Sequence, residues 1–276
     1  MITKRRGQLY LRDNKLGSVN VGSMWDIDAT HFIVRAGLKG IYAIAINELV
    51  WELKQANLWD SIKVLYPFIC VDITNANALL NLKNINTSGF FSGGSSVTYA
   101  KTGITPSSAG LNTGFAGTSL ASQTSHHLAY YSRTNNAAAT NYLMGASNAT
   151  NVNPRFSLVA TATNFASYDH TNVPSVNVSH SSDTTGFIIA SRIANNDIRM
   201  FRNGVQVGST FTTTATGNLS SSSVFIFAAN NGVGTAQAPT DKECAFASIG
   251  DGLTTAQVEE YNRIVQNYQQ RLGRAV

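Results

Sequence analysis

From Phe68 to Ile249 the chain is cut into short apolar or alternating segments, about four to eight residues each, set between clusters of Gly, Asn and Ser. That punctuation limits what can fold here. Segments this short are strands rather than helices, and many of them at regular spacing call for a sandwich or barrel, not for alternating β/α units. The clearest are residues 127–132, 155–160, 186–191, 198–201, 205–208, 223–228 and 244–249. The plainest turn is Arg202-Asn203-Gly204-Val205. Asn-Gly accepts the positive φ values of a type I′ hairpin, whose twist matches the strands it joins.

Helical periodicity flanks this region. Asp28 is a candidate N-cap for a short helix stopped by Gly37. A second helix is predicted from about Ile41 to Asn57, because Ile46, Leu49, Val50 and Leu53 fall on one face. Trp59, Ile62 and Leu65 continue an apolar edge until Pro67 disfavours helical geometry at Tyr66. A last helix follows Gly252: Thr254 and Gln257 form a capping box, and Val258, Tyr261, Val265, Tyr268 and Leu272 make one narrow stripe. Residues 1–24 read as a small β element, with Gln8-Leu9-Tyr10-Leu11 strand-like, Asp13-Asn14 a turn and Lys15 to Val21 weakly alternating. The organisation expected is 1–24 β element, 25–67 helical segment, 68–250 sandwich and 251–276 helix.

Composition narrows the function classes. With 43% hydrophobic and only 13% charged residues in 276, the chain is too apolar for disorder. The net charge of +5 is spread out, with no Lys/Arg run interleaved with stacking aromatics, so no nucleic-acid partner is expected. Cys70 and Cys244 each lie in an apolar stretch, which suits two buried thiols, and no Cys/His spacing fits zinc. No apolar run is long enough to span a membrane, and the basic start, Met1 to Leu11, lacks the apolar core of a signal peptide. The chain is therefore expected to stay in a cytoplasm or to be assembled into a particle there.

Three ordered blocks then carry a resemblance. The first is Leu58-Trp59-Asp60-Ser61-Ile62-Lys63-Val64-Leu65-Tyr66-Pro67-Phe68-Ile69. The second is His127-Leu128-Ala129-Tyr130-Tyr131-Ser132-Arg133-Thr134-Asn135, followed by Gly186-Phe187-Ile188-Ile189-Ala190-Ser191-Arg192 and Phe201-Arg202-Asn203-Gly204-Val205. The third is Phe246-Ala247-Ser248-Ile249-Gly250-Asp251-Gly252-Leu253-Thr254, with a closing helix ending Leu272-Gly273-Arg274. In this order they resemble phage virion structural proteins with a concanavalin A-like (laminin-G-like) jelly roll. Residues 1–24 also resemble the short Tyr-Leu-Gly-Ser-type elements at the ends of phage virion proteins, with Arg12-Asp13 standing where that motif has Gly-Ser. The resemblance implies a mainly β, antiparallel jelly-roll sandwich and a place in the virion, as a head fibre or decoration protein or in the tail. It implies other virion proteins (capsid, connector or tail) as partners, self-association, and a glycan-binding type of fold, but no enzymatic activity and no cofactor.

Glycoside hydrolysis needs two carboxyl groups flanking the sugar bond. In the β region only Asp241-Lys242-Glu243 has the i, i+2 spacing that puts two acids on one strand face, and the Glu-x-Asp-x-x-Glu pattern of the fold's glucanases is absent. A depolymerase is thus the alternative reading and a solvated pair the preferred one. Asp169-His170-Thr171-Asn172 offers donor atoms without a diagnostic metal spacing, and no metal is expected. For glycan binding, the strand around 125–135 places His127, Tyr131 and Arg133 on one face, with Leu128 and Tyr130 on the other parity. That face either binds sugar, through ring stacking and hydroxyl donors, or packs inside the sandwich. For attachment to the particle, Leu9, Leu11, Val19 and Val21 offer alternating side chains and an open strand edge for strand addition, with Lys4, Arg5 and Arg6 favouring an acidic partner surface.

Overall fold

The computed structural model describes residues 2–5, 8–11, 25–71, 76–92, 96–135, 141–148, 152–161, 163–170, 175–179 and 183–276. Two sheets stack face to face, and a layer of helices covers the outer face of one of them. The helix-covered sheet runs in the order Val205–Phe211, Asp197–Arg202, Gly186–Ala194, His126–Ser132, Cys244–Gly250, Gly103–Pro106, Val97–Ala100. The second sheet runs Val176–Ser179, Asn164–Asp169, Val152–Ala160, Asn141–Asn148, Ser223–Ile226, Gly110–Ala116, Phe90–Ser92. Pairing between these strands is antiparallel; the short strand Ala229–Asn230 lies parallel to Asn141–Asn148. The chain is a mainly β, antiparallel jelly-roll sandwich with helices before and after it.

The Asn-Gly hairpin forms as the sequence requires. Asn203 has φ 49° and Gly204 φ 80°, and Arg202 pairs with Val205 across the turn. The helices also follow their periodicity. Helix α1 is Ile27–Ala36, α2 is Gly40–Gln55 and α3 is Thr255–Arg271. Gly37 ends α1 in the left-handed conformation at φ 66°, and α3 carries the Thr254–Gln257 capping box. The N-cap of α1 is Asp26 rather than Asp28: its carboxylate accepts from the backbone N–H groups of Asp28 at 2.9 Å and Ala29 at 3.4 Å.

One element departs from expectation. Ile62–Tyr66, assigned above to the helical region, is a strand paired with Ala247–Gly250 in the helix-covered sheet. Over so few apolar residues helical and extended periodicity coincide, and the β-branched Ile62 and Val64 suit an extended chain. The sandwich therefore begins before Pro67, not after it.

Two cores result. Between the sheets lie Leu128, Tyr130, Ile188, Met200 and Ile249 against Met144, Phe156, Leu158 and Phe165. Between sheet and helices lie Ala129, Tyr131, Phe187, Phe201 and Phe246 against Ile46, Leu49, Val50, Leu53, Val258, Tyr261 and Val265. The strands His126–Ser132 and Cys244–Gly250 are consequently buried at every residue. Strands covered on both faces read as near-continuous apolar runs, and these do. Cys70 and Cys244 are both buried and are not joined in a disulfide.

At the N-terminus Ile2–Arg5 and Gln8–Leu11 form a two-stranded sheet of their own, Lys4 opposite Leu9 and Ile2 opposite Leu11. Leu9 and Leu11 thus lie on a strand paired with Ile2–Arg5. Val19 and Val21 lie outside the described residues.

Candidate functional site

The face proposed for sugar lies beneath α3. His127 and Tyr131 have no exposed surface, so neither reaches a glycan. Parity gave their common side correctly; it carried no information that helices cover that side. The Tyr261 hydroxyl donates to Ser248 Oγ at 2.8 Å. Ser248 Oγ lies 3.1 Å from His127 Nε2, and His127 Nδ1 lies 2.6 Å from the carbonyl oxygen of Asp251. A carbonyl only accepts, so Nδ1 carries the proton and Nε2 accepts from the serine, an assignment made from the network. The Tyr131 hydroxyl donates to Gln266 Oε1 at 3.1 Å and accepts from the Val276 N–H at 3.0 Å. Arg133, half-buried at the strand end, sits 3.4 Å from Glu243. All three residues join the sheet to its surroundings.

This network makes stability depend on pH. Burial pushes His127 down from 6.5 to about 4. Its folded-state value lies below its unfolded one, so its contribution is intact above pH 6.5 and is lost as pH falls through about 4. The loss should approach about 3 kcal/mol, at 1.36 kcal/mol per unit. Urea midpoints at pH 7 and pH 4.5 measure it, and His127→Gln should flatten the slope. A variant with the wild-type slope would refute this role for His127.

The acidic pair does not form a strand dyad. Asp241 and Glu243 precede the strand Cys244–Gly250; Asp241 is exposed and Glu243 faces Arg133.

A charged cluster lies between the sheets. Asp169 stands 3.0 Å from His126 Nε2, 3.2 Å from His170 Nε2 and 2.5 Å from Arg192 Nε, and all four residues are buried. Arg192 Nη1 also donates to the carbonyls of Asn195 and, at 3.2 Å, Thr213. His126, Asp169 and His170 have metal-ligand atoms within 4.8 Å of one another. The guanidinium also contacts the oxygen that His126 shares and supplies a balancing positive charge, which makes the group a buried ion pair flanked by two imidazoles. Thr171 and Asn172 lie outside the described residues. The sequence signal for this cluster is slight: Arg192 closes an apolar strand, and His126 and Asp169 are 43 positions apart.

A groove of about 520 Å³ opens between α2 and α3, lined by Glu48, Trp51, Glu52, Asn267, Gln270 and Arg271. Trp51 is 52% exposed. Arg271 bridges the helices with a two-point contact to Glu48, at 2.9 and 2.7 Å, and Arg263 reaches Glu52 at 2.9 Å.

No protein-family profile and no curated protein matches the chain. Among solved structures, a mutant of Trypanosoma rangeli sialidase displaying trans-sialidase activity is similar at 9% identity and a TM-score of 0.51, over 82% of this chain but only 39% of that one. Domain 4 of a GH43 extracellular arabinanase from Geobacillus stearothermophilus, in complex with arabinotriose, aligns at 14% identity over 73% of this chain and 98% of that one, TM-score 0.48. The CBM40 of a Ruminococcus gnavus sialidase, bound to α2,3-sialyllactose, aligns at 18% identity over 58% and 95%, TM-score 0.43. At such identities a likeness speaks to architecture alone, here a jelly-roll β-sandwich.

Proposed function

We propose that this chain is a non-enzymatic structural component of a phage virion, exposed on the particle as a head fibre or decoration protein or within the tail fibre apparatus, and able to hold host glycans. The observation that supports it best is how the resembling blocks meet. Residues 127–135, 186–192 and 246–254 are distant in sequence, yet His126–Ser132 pairs on one side with Gly186–Ala194 and on the other with Cys244–Gly250. Their polar side chains serve the fold: Ser191 Oγ donates to the Leu253 carbonyl at 2.8 Å and accepts from the Leu253 N–H at 2.8 Å, and His127 holds Asp251. The blocks are a buried spine, which is what a family of scaffolds would share. Self-association into a dimer or trimer belongs to this reading.

The N-terminal hairpin is the attachment element, offering backbone edges for strand addition. Deleting residues 1–24 should leave a folded sandwich, judged by circular dichroism and unfolding, that no longer enters particles. The full chain should release no reducing ends from host capsule. A truncated protein present at normal copy number would place the anchor elsewhere, and turnover lost in Asp241→Ala or Glu243→Ala would make the protein a depolymerase.

A further inference from the structure

We infer that the groove between α2 and α3 is a saccharide-binding site selective for uncharged sugar rings, with Trp51 as its stacking platform. This rests on the glycan-holding part of the reading above and gives it a location.

The groove, about 520 Å³, is open to solvent, so a ligand would lie along it with one face exposed. The lining is chemically narrow. Apart from one indole it consists of planar hydrogen-bonding groups: the carboxylates of Glu48 and Glu52, the amides of Asn267 and Gln270, and the guanidinium of Arg271. Planar groups with paired donors or acceptors match adjacent hydroxyls on a sugar ring, while an aromatic face takes up the ring's C–H surface. Trp51 has no role in the helix–sheet core, whose α2 contribution comes from Ile46, Leu49, Val50 and Leu53.

The site is set in place before any ligand arrives. Arg271 grips Glu48 across the groove, Arg263 holds Glu52, and Asn267 Nδ2 donates to Glu52 Oε2 at 3.4 Å. Both helices are fixed by their buried faces, so little ordering accompanies binding. Charge selects the ligand class. Glu48 and Glu52 are balanced by Arg271 and Arg263. A carboxylated sugar would face two glutamates, and a cationic ligand would disrupt the bridges that shape the groove. A neutral ring keeps both bridges. A protein partner is the competing occupant, because Ile41 and Ile44 are exposed on the same helix. The polar lining of the groove favours the sugar.

The test titrates the full chain with neutral hexose and N-acetylhexosamine oligosaccharides, and with sialylated counterparts. Tryptophan fluorescence and calorimetry are the readouts. The wild type should bind a neutral oligosaccharide saturably. Trp51→Ala should weaken it at least about tenfold and Trp51→Phe much less, with circular dichroism unchanged. Equal binding by Trp51→Ala would move the site elsewhere while leaving glycan binding intact. No binding by the wild type to any oligosaccharide or to host polysaccharide would overturn both readings. Tighter binding of sialylated ligands would overturn the selectivity. Loss of particle incorporation by Trp51→Ala, with no sugar bound by the wild type, would make the groove a protein-docking surface.

Discussion

Replacing Arg274 with alanine is expected to destabilise the protein by about 3–5 kcal/mol, because buried acceptors that lose their donor cost about 1–3 kcal/mol each. Arg274 is only 1% exposed. Its guanidinium meets carbonyl and amide oxygens: Gln269 Oε1 at 2.6 Å, Phe68 O at 2.8 Å, Pro67 O at 2.7 Å and Ala245 O at 2.8 Å. It also sits over the Tyr268 ring, 5.2 Å from its centroid. These contacts tie the end of α3 to the strand Cys244–Gly250 and to the corner after Ile62–Tyr66, where Phe68 holds a φ of 43°. Alanine would take this donor from the carbonyls of Phe68 and Ala245, leave Pro67 O with the Tyr268 hydroxyl alone, and open a void. Lysine should fall in between, since one ammonium has three donors and no planar fork. Urea unfolding at neutral pH measures the effect, and an unchanged midpoint in Arg274→Ala would contradict it.

Arg274 also illustrates what the sequence can and cannot convey. Local rules were legible: the Asn-Gly hairpin, the Gly37 stop, the Thr254 box and the buried stripes of α2 and α3 all depend on neighbours a few residues away. Strand existence was legible for the same reason. Layering was not. Alternation along residues 127–133 told which side chains share a side, but only the third layer of helices made that side an interior. A buried arginine looks like any solvated one until its carbonyl acceptors, 29 to 207 positions away, are brought together. The groove at Trp51 was hidden likewise: an exposed tryptophan on a helix gains meaning only from the α3 side chains opposite it.

The same reasoning applies to the ion cluster between the sheets, where Arg192→Met should cost about 3–5 kcal/mol at pH 7. Arg192 and Asp169 are 0% and 1% exposed, and their contact joins the helix-covered sheet to the second sheet. Burial alone would raise the Asp169 carboxyl; His126, Arg192 and His170 outweigh it and hold the group below the usual carboxylate range. In the wild type this contribution is present above the unfolded carboxylate value and lost as pH falls through the lower folded one. Without the guanidinium, Asp169 keeps only imidazoles, and burial pulls it upward. The penalty in Arg192→Met should therefore be largest at neutral pH and shrink towards pH 4, as the stranded carboxyl takes up a proton. Asp169→Asn added to Arg192→Met should recover part of the loss at pH 7. Recovery will be incomplete, because the carbonyls of Ala194 and Thr213 also lose this donor and that of Asn195 keeps only the Ala215 N–H. Unfolding midpoints of wild type, single and double variants at pH 7 and pH 4.5 decide it. A penalty in the single variant that is the same at both pH values would mean that the lost contacts to carbonyls, and not the pairing with Asp169, carry the energy.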